Sequence, residues 1–198
     1  MKSQTQLRVT LISPTRPMNT DTYAGKYVSP RYRTPSPDEF NVRRTARDLK
    51  IPTDTAIQIA APAMAALIDG PCWLVPVPAS DGSLTANHAL ASAIAEMVPG
   101  ARVKCVIRRA HPVESSNTRR LRGLPRLTIE QHAIIRSTGP IKPLPVYFVD
   151  NVITTGTTVA ACRRALGWGA GLAYADASKF PNALRRRHQS DPQPHPGG

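Results

Sequence analysis

Residues 146–166 constrain the fold of this chain more than any other segment. They read VYFVDNVITTGTTVAACRRAL: four apolar residues, an acid and an amide, a turn rich in hydroxyl groups around Gly156, and a helix-forming run. A short continuous apolar run is typical of a strand that is covered on both faces. The segment therefore predicts a buried strand at 146–149 and a helix at 159–166, joined by a tight turn.

The same order of strand, turn and helix occurs earlier in the chain. The further predicted elements are a helix at 54–68, a strand at 72–77, a turn at 79–83, a helix at 85–98, a strand at 103–107, a short helix at 128–135 and a strand at 172–177. Asp54 is expected to cap the first helix, and Pro62 to kink it or delay its start. Strands that alternate with helices imply an α/β fold with a Rossmann-like core, in which helices cover both faces of a mostly parallel sheet.

Three parts of the chain are expected to differ in role. Residues 1–53 predict a small irregular N-terminal cap, or hood, with one short strand at 7–12. Residues 54–180 predict the α/β core, including a long basic excursion at 108–145 that we expect to be mobile, because loops of that length in a compact domain are usually functional or mobile. Residues 181–198 have little apolar content, which predicts a disordered basic and proline-rich tail.

The chain carries a large positive charge, with 26 Lys and Arg against 13 Asp and Glu in 198 residues, for a formal charge of +13. A field of this sign attracts phosphates, nucleic acid or acidic membranes. The charge is concentrated at 102–126, where Glu114 is the only acid, at 26–50, where tyrosines are interleaved, and at 185–187. Such runs are also typical of solvated surfaces, above all the last one.

The cysteines and the apolar stretches indicate the compartment. Cys72, Cys105 and Cys162 lie in apolar runs without metal-binding spacing, which predicts neither a disulfide framework nor a zinc site and favours a reducing compartment. The longest uncharged apolar stretch, 55–68, is shorter than the ~20 residues of a membrane helix. The N-terminus lacks the apolar core of a secretion signal. We therefore expect a cytoplasmic protein that does not enter a membrane.

Two loops, 79–83 and 150–158, leave the carboxyl ends of predicted strands, where ligands bind in α/β folds. In the second loop, backbone N–H groups, four threonine hydroxyls and a helix N-terminus form a cradle for a phosphate, which Gly156 lets approach closely. Asp150 would repel that phosphate. A carboxylate beside it is useful if it accepts hydrogen bonds from sugar hydroxyls or helps to hold a hydrated Mg²⁺. The loop therefore predicts a phosphorylated sugar as the ligand.

The segment 146–158 resembles the phosphoribosyl-pyrophosphate (PRPP) signature of type I phosphoribosyltransferases: a hydrophobic strand, two acidic or amide residues, two apolar residues and T-x-G-T-T. The resemblance implies that Asp150 and Asn151 are catalytic residues that hold the ribose 2′- and 3′-hydroxyls, and that Asp150 holds Mg²⁺ through water. Asn151 departs from the commoner second acid, which implies a lower Mg²⁺ affinity or turnover. The 5′-phosphate would be bound by Thr154, Thr155, Gly156, Thr157 and Thr158.

The resemblance extends over about residues 70–180. Residues 75–82 resemble the family's first strand and pyrophosphate loop, and the excursion resembles its mobile hood loop. In several relatives that loop reaches into the neighbouring subunit, so the resemblance implies a homodimer. Residues 1–50 lie where the family places the variable hood that selects the acceptor. The residues implied to bind pyrophosphate are Ala79, Ser80, Asp81, Gly82, Arg108 and Arg109.

The branch of the family, and hence the acceptor, stays open. Relatives that salvage 6-oxopurines have an aspartate at the position of Thr154, and a threonine hydroxyl cannot replace it because it does not ionise near neutral pH. The V-I-T-x-G pattern is similar to that of orotate-specific relatives, although residues 108–111 keep the charge of their loop without its lysine and histidine spacing. The LVPVP strand and the arginine-rich excursion resemble the competence-associated members. His111 is a candidate loop acid or pyrophosphate contact.

The resemblance thus implies a glycosyltransferase of the pentosyl class. It would transfer the phosphoribosyl group of Mg²⁺-bound PRPP to a nucleobase or small amine and release pyrophosphate. The alternative is a non-catalytic or regulatory protein on the same fold that senses PRPP and binds nucleic acid. The basic and aromatic arm at 23–33, the cluster at 119–122 and Asn151 would suit that role. A purely structural adaptor has only the proline-rich ends in its favour.

Overall fold

The computed structural model of the chain describes residues 20–30, 33–137, 139 and 144–177. The helices are α1 (Pro37–Asp48), α2 (Asp54–Ala65), α3 (Thr85–Met97), α4 (Ser116–Leu121) and α5 (Thr157–Leu166), with a 3₁₀ turn at Glu130–His132. The strands are β1 (Thr22–Lys26), β2 (Trp73–Pro76), β3 (Arg102–Val103), β4 (Ile107–Arg109), β5 (Ile134–Arg136), β6 (Val146–Ile153) and β7 (Ala170–Asp176). No helix in these ranges has the length and apolar character needed to cross a membrane.

Five strands form one sheet in the order β1-β7-β6-β2-β3, and every neighbouring pair is parallel. Strands β4 and β5 pair antiparallel in a separate two-stranded sheet. The prediction of a mostly parallel α/β sheet is therefore confirmed. Since β2 and β6 are neighbours, with Pro76 opposite Val149, the loops that follow them leave the same edge of the sheet side by side.

Residues on the central strands alternate between two apolar clusters. Leu74 and Val149 pack in the cluster that contains helices α1, α2 and α3. Val75 and Phe148 pack in the other cluster, against α5. Because successive residues of a strand point to opposite faces, the two clusters lie on opposite sides of the sheet and helices flank both.

The expectation of an irregular N-terminal segment is wrong for its described part. Strand β1 pairs with β7, and α1 buries Ala46 and Leu49 in the core. Helix α1 begins with a capping box in which the Ser36 side chain accepts from the Glu39 N–H and the Glu39 side chain accepts from the Ser36 N–H, a pattern that the sequence displays. The domain boundary at 53 stays a prediction. The strand at 7–12 and the tail at 181–198 lie outside the described residues.

Helix α2 differs from its prediction at both ends. Its cap is Thr53, whose side chain accepts a hydrogen bond from the Ala56 N–H, and Asp54 is the first helical residue. The helix runs through Pro62, which lies on its exposed side, and ends at Ala65. Asp54 still favours the helix start, since a carboxylate in the first turn complements the helix dipole.

The predicted strand at 103–107 is wrong as a single element. Strand β3 ends at Val103, the Val106 N–H donates to the Lys104 carbonyl oxygen in a tight turn, and β4 then begins in the second sheet. The helix predicted at 128–135 is only the 3₁₀ turn, which Ala133 ends with a φ of +52° before β5 begins. Helix α4, capped by Ser115, was not expected. The mobility of the excursion stays a prediction.

Candidate functional site

Strand β6 extends beyond its predicted end at 149 and carries Asp150 and Asn151 within the sheet. Asp150 lies opposite Ala173 of β7, and the pairing continues to Ile153. Successive strand residues point to opposite faces. Asp150 therefore points to the face of α5, whereas Asn151 points to the face of α1.

The Asp150 carboxylate is partly buried and has one oxygen engaged. Its Oδ1 accepts hydrogen bonds from the Asn151 N–H, at 2.8 Å, and from Asn87 Nδ2, at 3.4 Å. Burial raises the pKa of Asp150 to about 6, against the opposing effect of these bonds and of the charges of Lys50 and Arg109. Oδ2 accepts no bond from the described residues. Near neutral pH the group is therefore mostly ionised and can accept a hydrogen bond from a ligand hydroxyl.

Asn87, in the first turns of α3, is a site residue that the sequence reasoning missed. Its Nδ2 also donates to the Val77 carbonyl oxygen, at 2.8 Å, so one amide joins the end of β2 to Asp150 on β6. Its position in the sequence was the available signal. Helix α3 follows the loop after β2, so a side chain near the start of this helix lies close to the end of β2. Asn87 thereby ties together the two strand ends from which the candidate loops leave.

Asn151 is held away from Asp150 by helix α1. Its Nδ2 donates to the carbonyl oxygen of Ala46 at 3.0 Å. The structure therefore separates the two side chains that the resemblance assigned to a single ribose. A role of Asn151 toward the ribose stays a prediction.

The turn Thr154–Thr158 presents an open helix N-terminus beside Asp150. Gly156 has a φ of +74°, a backbone conformation that favours glycine, and no side chain in the described part of the chain caps α5. The hydroxyls of Thr155 and Thr157 lie 2.7 Å apart. A cavity of about 20 Å³ between the turn and Asp150 is lined by residues of both. Uncapped N–H groups at the positive end of a helix dipole form a site suited to an anion.

Asp21, which the sequence reasoning also missed, lies close to this turn. Its Oδ1 accepts from the Gly171 N–H at 2.8 Å and from Arg163 Nη2 at 3.0 Å. Its Oδ2 lies 3.9 Å from the position that a Cβ on Gly156 would take. No sequence signal pointed to Asp21, because its position depends on the docking of the N-terminal segment against β7.

The loop after β2, residues 79–83, bonds mostly to itself. The Ala79 N–H donates to the Ser83 carbonyl oxygen, the Gly82 N–H donates to the Ala79 carbonyl oxygen, and the Ser83 N–H donates to Asp81 Oδ1. The Ser80 carbonyl oxygen accepts from the Val113 N–H. The predicted turn is confirmed, and most of its polar groups already have partners within the chain.

Arg108 and Arg109 point to opposite sides of β4. Arg109 is buried and donates to three carbonyl oxygens, through Nε to Ala79 at 2.6 Å, through Nη2 to Pro78 at 3.3 Å and through Nη1 to His132. Burial lowers the pKa of its guanidinium. Arg108 is exposed and bonds to the Arg109 carbonyl oxygen. Arg109 is thus a brace between the loop and the 3₁₀ turn, and a joint grip of the two arginines on pyrophosphate stays a prediction.

Three other titratable side chains are candidates for a chemical role. His111 is exposed, with Nδ1 3.0 Å from the Pro112 carbonyl oxygen. The Cys162 thiol is buried on α5, and burial raises its pKa, so that it stays protonated and is a poor nucleophile. His132 is buried, its Nδ1 has no partner among the described residues, and burial lowers its pKa.

Mg²⁺, which the resemblance implies, needs few ligands from the protein. No group of three or more His, Cys, Asp and Glu side chains that could hold a metal ion occurs in the part of the chain that the structure describes. However, Mg²⁺ usually keeps several waters and binds one or two carboxylates together with substrate phosphates. The open Oδ2 of Asp150 fits that mode of binding.

One edge of the sheet thus brings together Asp150, Asn87, the turn Thr154–Thr158 and the loop at 79–83. The side chain of Asn151 points to the opposite face, and Arg108 faces solvent on the far side of its strand. No protein-family model matches this chain, and no curated protein matches it either.

Proposed function

We propose that this protein is a type I phosphoribosyltransferase that transfers the 5-phosphoribosyl group of Mg²⁺-bound PRPP to a nitrogenous acceptor. The observation that carries this proposal is the juxtaposition of the Asp150 carboxylate, with one oxygen open, and the uncapped N-terminus of α5. A phosphorylated sugar offers one group for each, since its hydroxyls are donors and its phosphate is an anion.

The ligand's orientation follows from charge. The 5′-phosphate binds the N–H groups and hydroxyls of the turn Thr154–Thr158, at the positive end of the helix dipole. The ribose then extends toward Asp150, whose Oδ2 accepts hydrogen bonds from ribose hydroxyls. Asn87 holds the carboxylate in position through its bond to Oδ1.

The reaction needs little covalent help from side chains. The bond between ribose C1 and pyrophosphate breaks, pyrophosphate leaves with the electron pair, and the acceptor nitrogen forms the new bond to C1. The protein's contribution is to hold the ribose in place and to exclude water while charge develops at C1. Mg²⁺, when bound, offsets the charge of the leaving pyrophosphate.

Calorimetric titration with PRPP, with and without Mg²⁺, tests the proposal. We expect binding that Mg²⁺ strengthens and that Asp150→Ala abolishes, while circular dichroism shows that the variant is folded. Glu96→Ala is the matched control, because it removes an exposed carboxylate from the far end of α3. Absence of binding by the folded protein, or normal binding by Asp150→Ala, would contradict the proposal.

A second candidate function is PRPP sensing by a protein that binds nucleic acid. Two observations favour it: the Asn151 amide is engaged by Ala46, and Arg120 and Arg122 are exposed on either side of the exposed Leu121. This function predicts strongly salt-dependent binding to DNA or RNA and no pyrophosphate release from bound PRPP with any nucleobase or small amine. Pyrophosphate release with one such acceptor would favour the transferase.

A further inference from the structure

We propose that Lys50 binds the diphosphate group of the ligand, in a cleft between the segment that follows α1 and the loop at 79–83. This inference rests on the proposed function and adds to it a residue that neither the motif nor the resemblance indicates. It also brings the N-terminal segment of the chain into the binding site.

The cleft has a volume of about 270 Å³. Its lining includes Lys50, Ile51 and Pro52 of the segment after α1, Ala79 and Asp81 of the loop after β2, and Asn87 of α3. Because Asn87 also bonds to Asp150, the cleft lies beside the carboxylate that is proposed to hold the ribose. A group attached to that ribose at C1 can therefore enter the cleft.

Lys50 is the cation among the residues that line the cleft. It is exposed, and the structure gives its ammonium no hydrogen bond or ion pair with the described residues. Its charge acts on Asp150, where it favours the ionised carboxylate. Lys50 is therefore close to the place where C1 and its diphosphate would lie, and its ammonium is available to a ligand.

Arg109, the other cation near the cleft, is fixed in place and cannot follow a diphosphate. Three carbonyl oxygens hold its guanidinium, so it cannot move to follow a ligand. Its charge also acts on Asp81, which is the carboxylate of the cleft lining and would otherwise oppose an anion. Arg109 thus offsets Asp81 from a fixed position, whereas Lys50, a point charge on a flexible stem, can meet a diphosphate that enters and leaves.

Calorimetric titration with three probes tests the inference: PRPP, inorganic pyrophosphate and ribose 5-phosphate, each with Mg²⁺. We expect Lys50→Gln to weaken PRPP binding about tenfold or more, the effect of losing one charge-assisted contact. Ribose 5-phosphate lacks the diphosphate, so its affinity for Lys50→Gln should stay within about twofold of its affinity for the unsubstituted protein. Arg44→Gln is the matched control, because it removes an equal charge from an exposed position on α1 where, within the described part of the chain, the side chain bonds only to Asn41.

The outcomes separate the inference from the proposed function. A loss confined to PRPP supports recognition of the ligand's own diphosphate, and a parallel loss for pyrophosphate extends the site to the free product. Normal binding of PRPP by Lys50→Gln, or an equal loss for ribose 5-phosphate, would overturn the role of Lys50 while the transferase proposal stands. If the unsubstituted protein binds neither PRPP nor ribose 5-phosphate, the proposed function itself fails and the inference with it.

Discussion

The turn after β6 and the loop after β2 leave the same edge of the sheet, but their polar groups differ in availability. In the turn, the N–H groups at the start of α5 have no side-chain cap among the described residues. In the loop, backbone groups bond to one another, and the buried Arg109 engages the carbonyl oxygens of Pro78 and Ala79. The turn therefore leaves donors open to an anion, whereas the loop leaves few open and forms part of the lining of the cleft that also contains Lys50.

The largest effect on stability is expected from removing Arg109, which holds the closed loop at 79–83. Arg109→Met should lower the free energy of unfolding by about 3 kcal/mol, because it leaves the Pro78 and His132 carbonyl oxygens without their donor and removes one of the two donors to the Ala79 carbonyl oxygen. Arg108→Met, which removes the exposed neighbour, should change it by less than about 0.5 kcal/mol. Urea denaturation of both variants measures the difference. Equal stability of the two would contradict the role of Arg109 as a brace.

The next effect concerns Asp150, which lies between the two regions. Burial raises its pKa from 3.8 to about 6 in the folded state, so the folded protein binds more protons than the unfolded chain between about pH 4 and pH 6. Stability from this group therefore falls as the pH rises through that window. Asp150→Asn, which cannot ionise, should be more stable than the parent by about 2 kcal/mol at pH 7.5, allowing for partial exposure.

Thermal and urea unfolding of both proteins between pH 4 and pH 8 measure this effect. The advantage of Asp150→Asn should shrink to a small fraction of this value as the pH falls to about 4, where the folded carboxyl is protonated and the unfolded one is only partly ionised. An advantage that does not change with pH would show that the carboxylate is not buried as described.

A smaller effect on stability is expected from substitutions of Asn151, which lies on the strand that leads into the open turn. Asn151→Asp introduces the second acid of the family that the segment resembles. The same change replaces the amide that donates to the Ala46 carbonyl oxygen by a carboxylate that repels this oxygen. We expect a loss of about 1.5 kcal/mol in the free energy of unfolding, compared with about 1 kcal/mol for Asn151→Ala. If Asn151→Asp is as stable as the parent in urea denaturation, the contact with α1 does not hold Asn151 in place.

The smallest effect on stability is expected in the open turn itself. Gly156→Ala has space for its methyl group but must adopt a positive φ, which costs about 1 kcal/mol. The same substitution should weaken ribose 5-phosphate binding at least tenfold, because relief of the strain moves the N–H groups of the turn. Gly82→Ala, at a φ of +93° in the closed loop, is the control: it should cost similar stability and leave ribose 5-phosphate binding intact.

The elements that sequence reasoning predicted share a strong local signal. Apolar runs placed β2, β6 and β7, and the threonines and glycine of residues 154–158 placed the turn. Strand β1, by contrast, is a short edge strand that reads TYAGK, and nothing in its composition indicates that it pairs with β7. Helix α1, in contrast to β1, has a local signal in the sequence, the capping box formed by Ser36 and Glu39.

The site residues follow the same rule. Asp150 and Gly156 belong to a contiguous motif, so the sequence alone identified them. Lys50 and Asp21 reach the site only because the N-terminal segment packs against the sheet, and Asn151 acquires a partner 105 positions away in the chain for the same reason. Contacts of that kind depend on the tertiary fold, which local patterns do not encode.

The most direct test of the open turn is an amide nuclear magnetic resonance titration with ribose 5-phosphate. We expect the backbone amide signals of Gly156, Thr157 and Thr158 to shift in a saturable way, while the signal of Gly82 in the closed loop stays in place. Shifts at Gly82 without shifts at Gly156, or no saturable shift in either loop, would contradict the claim that this edge of the sheet binds a phosphorylated sugar through the turn after β6.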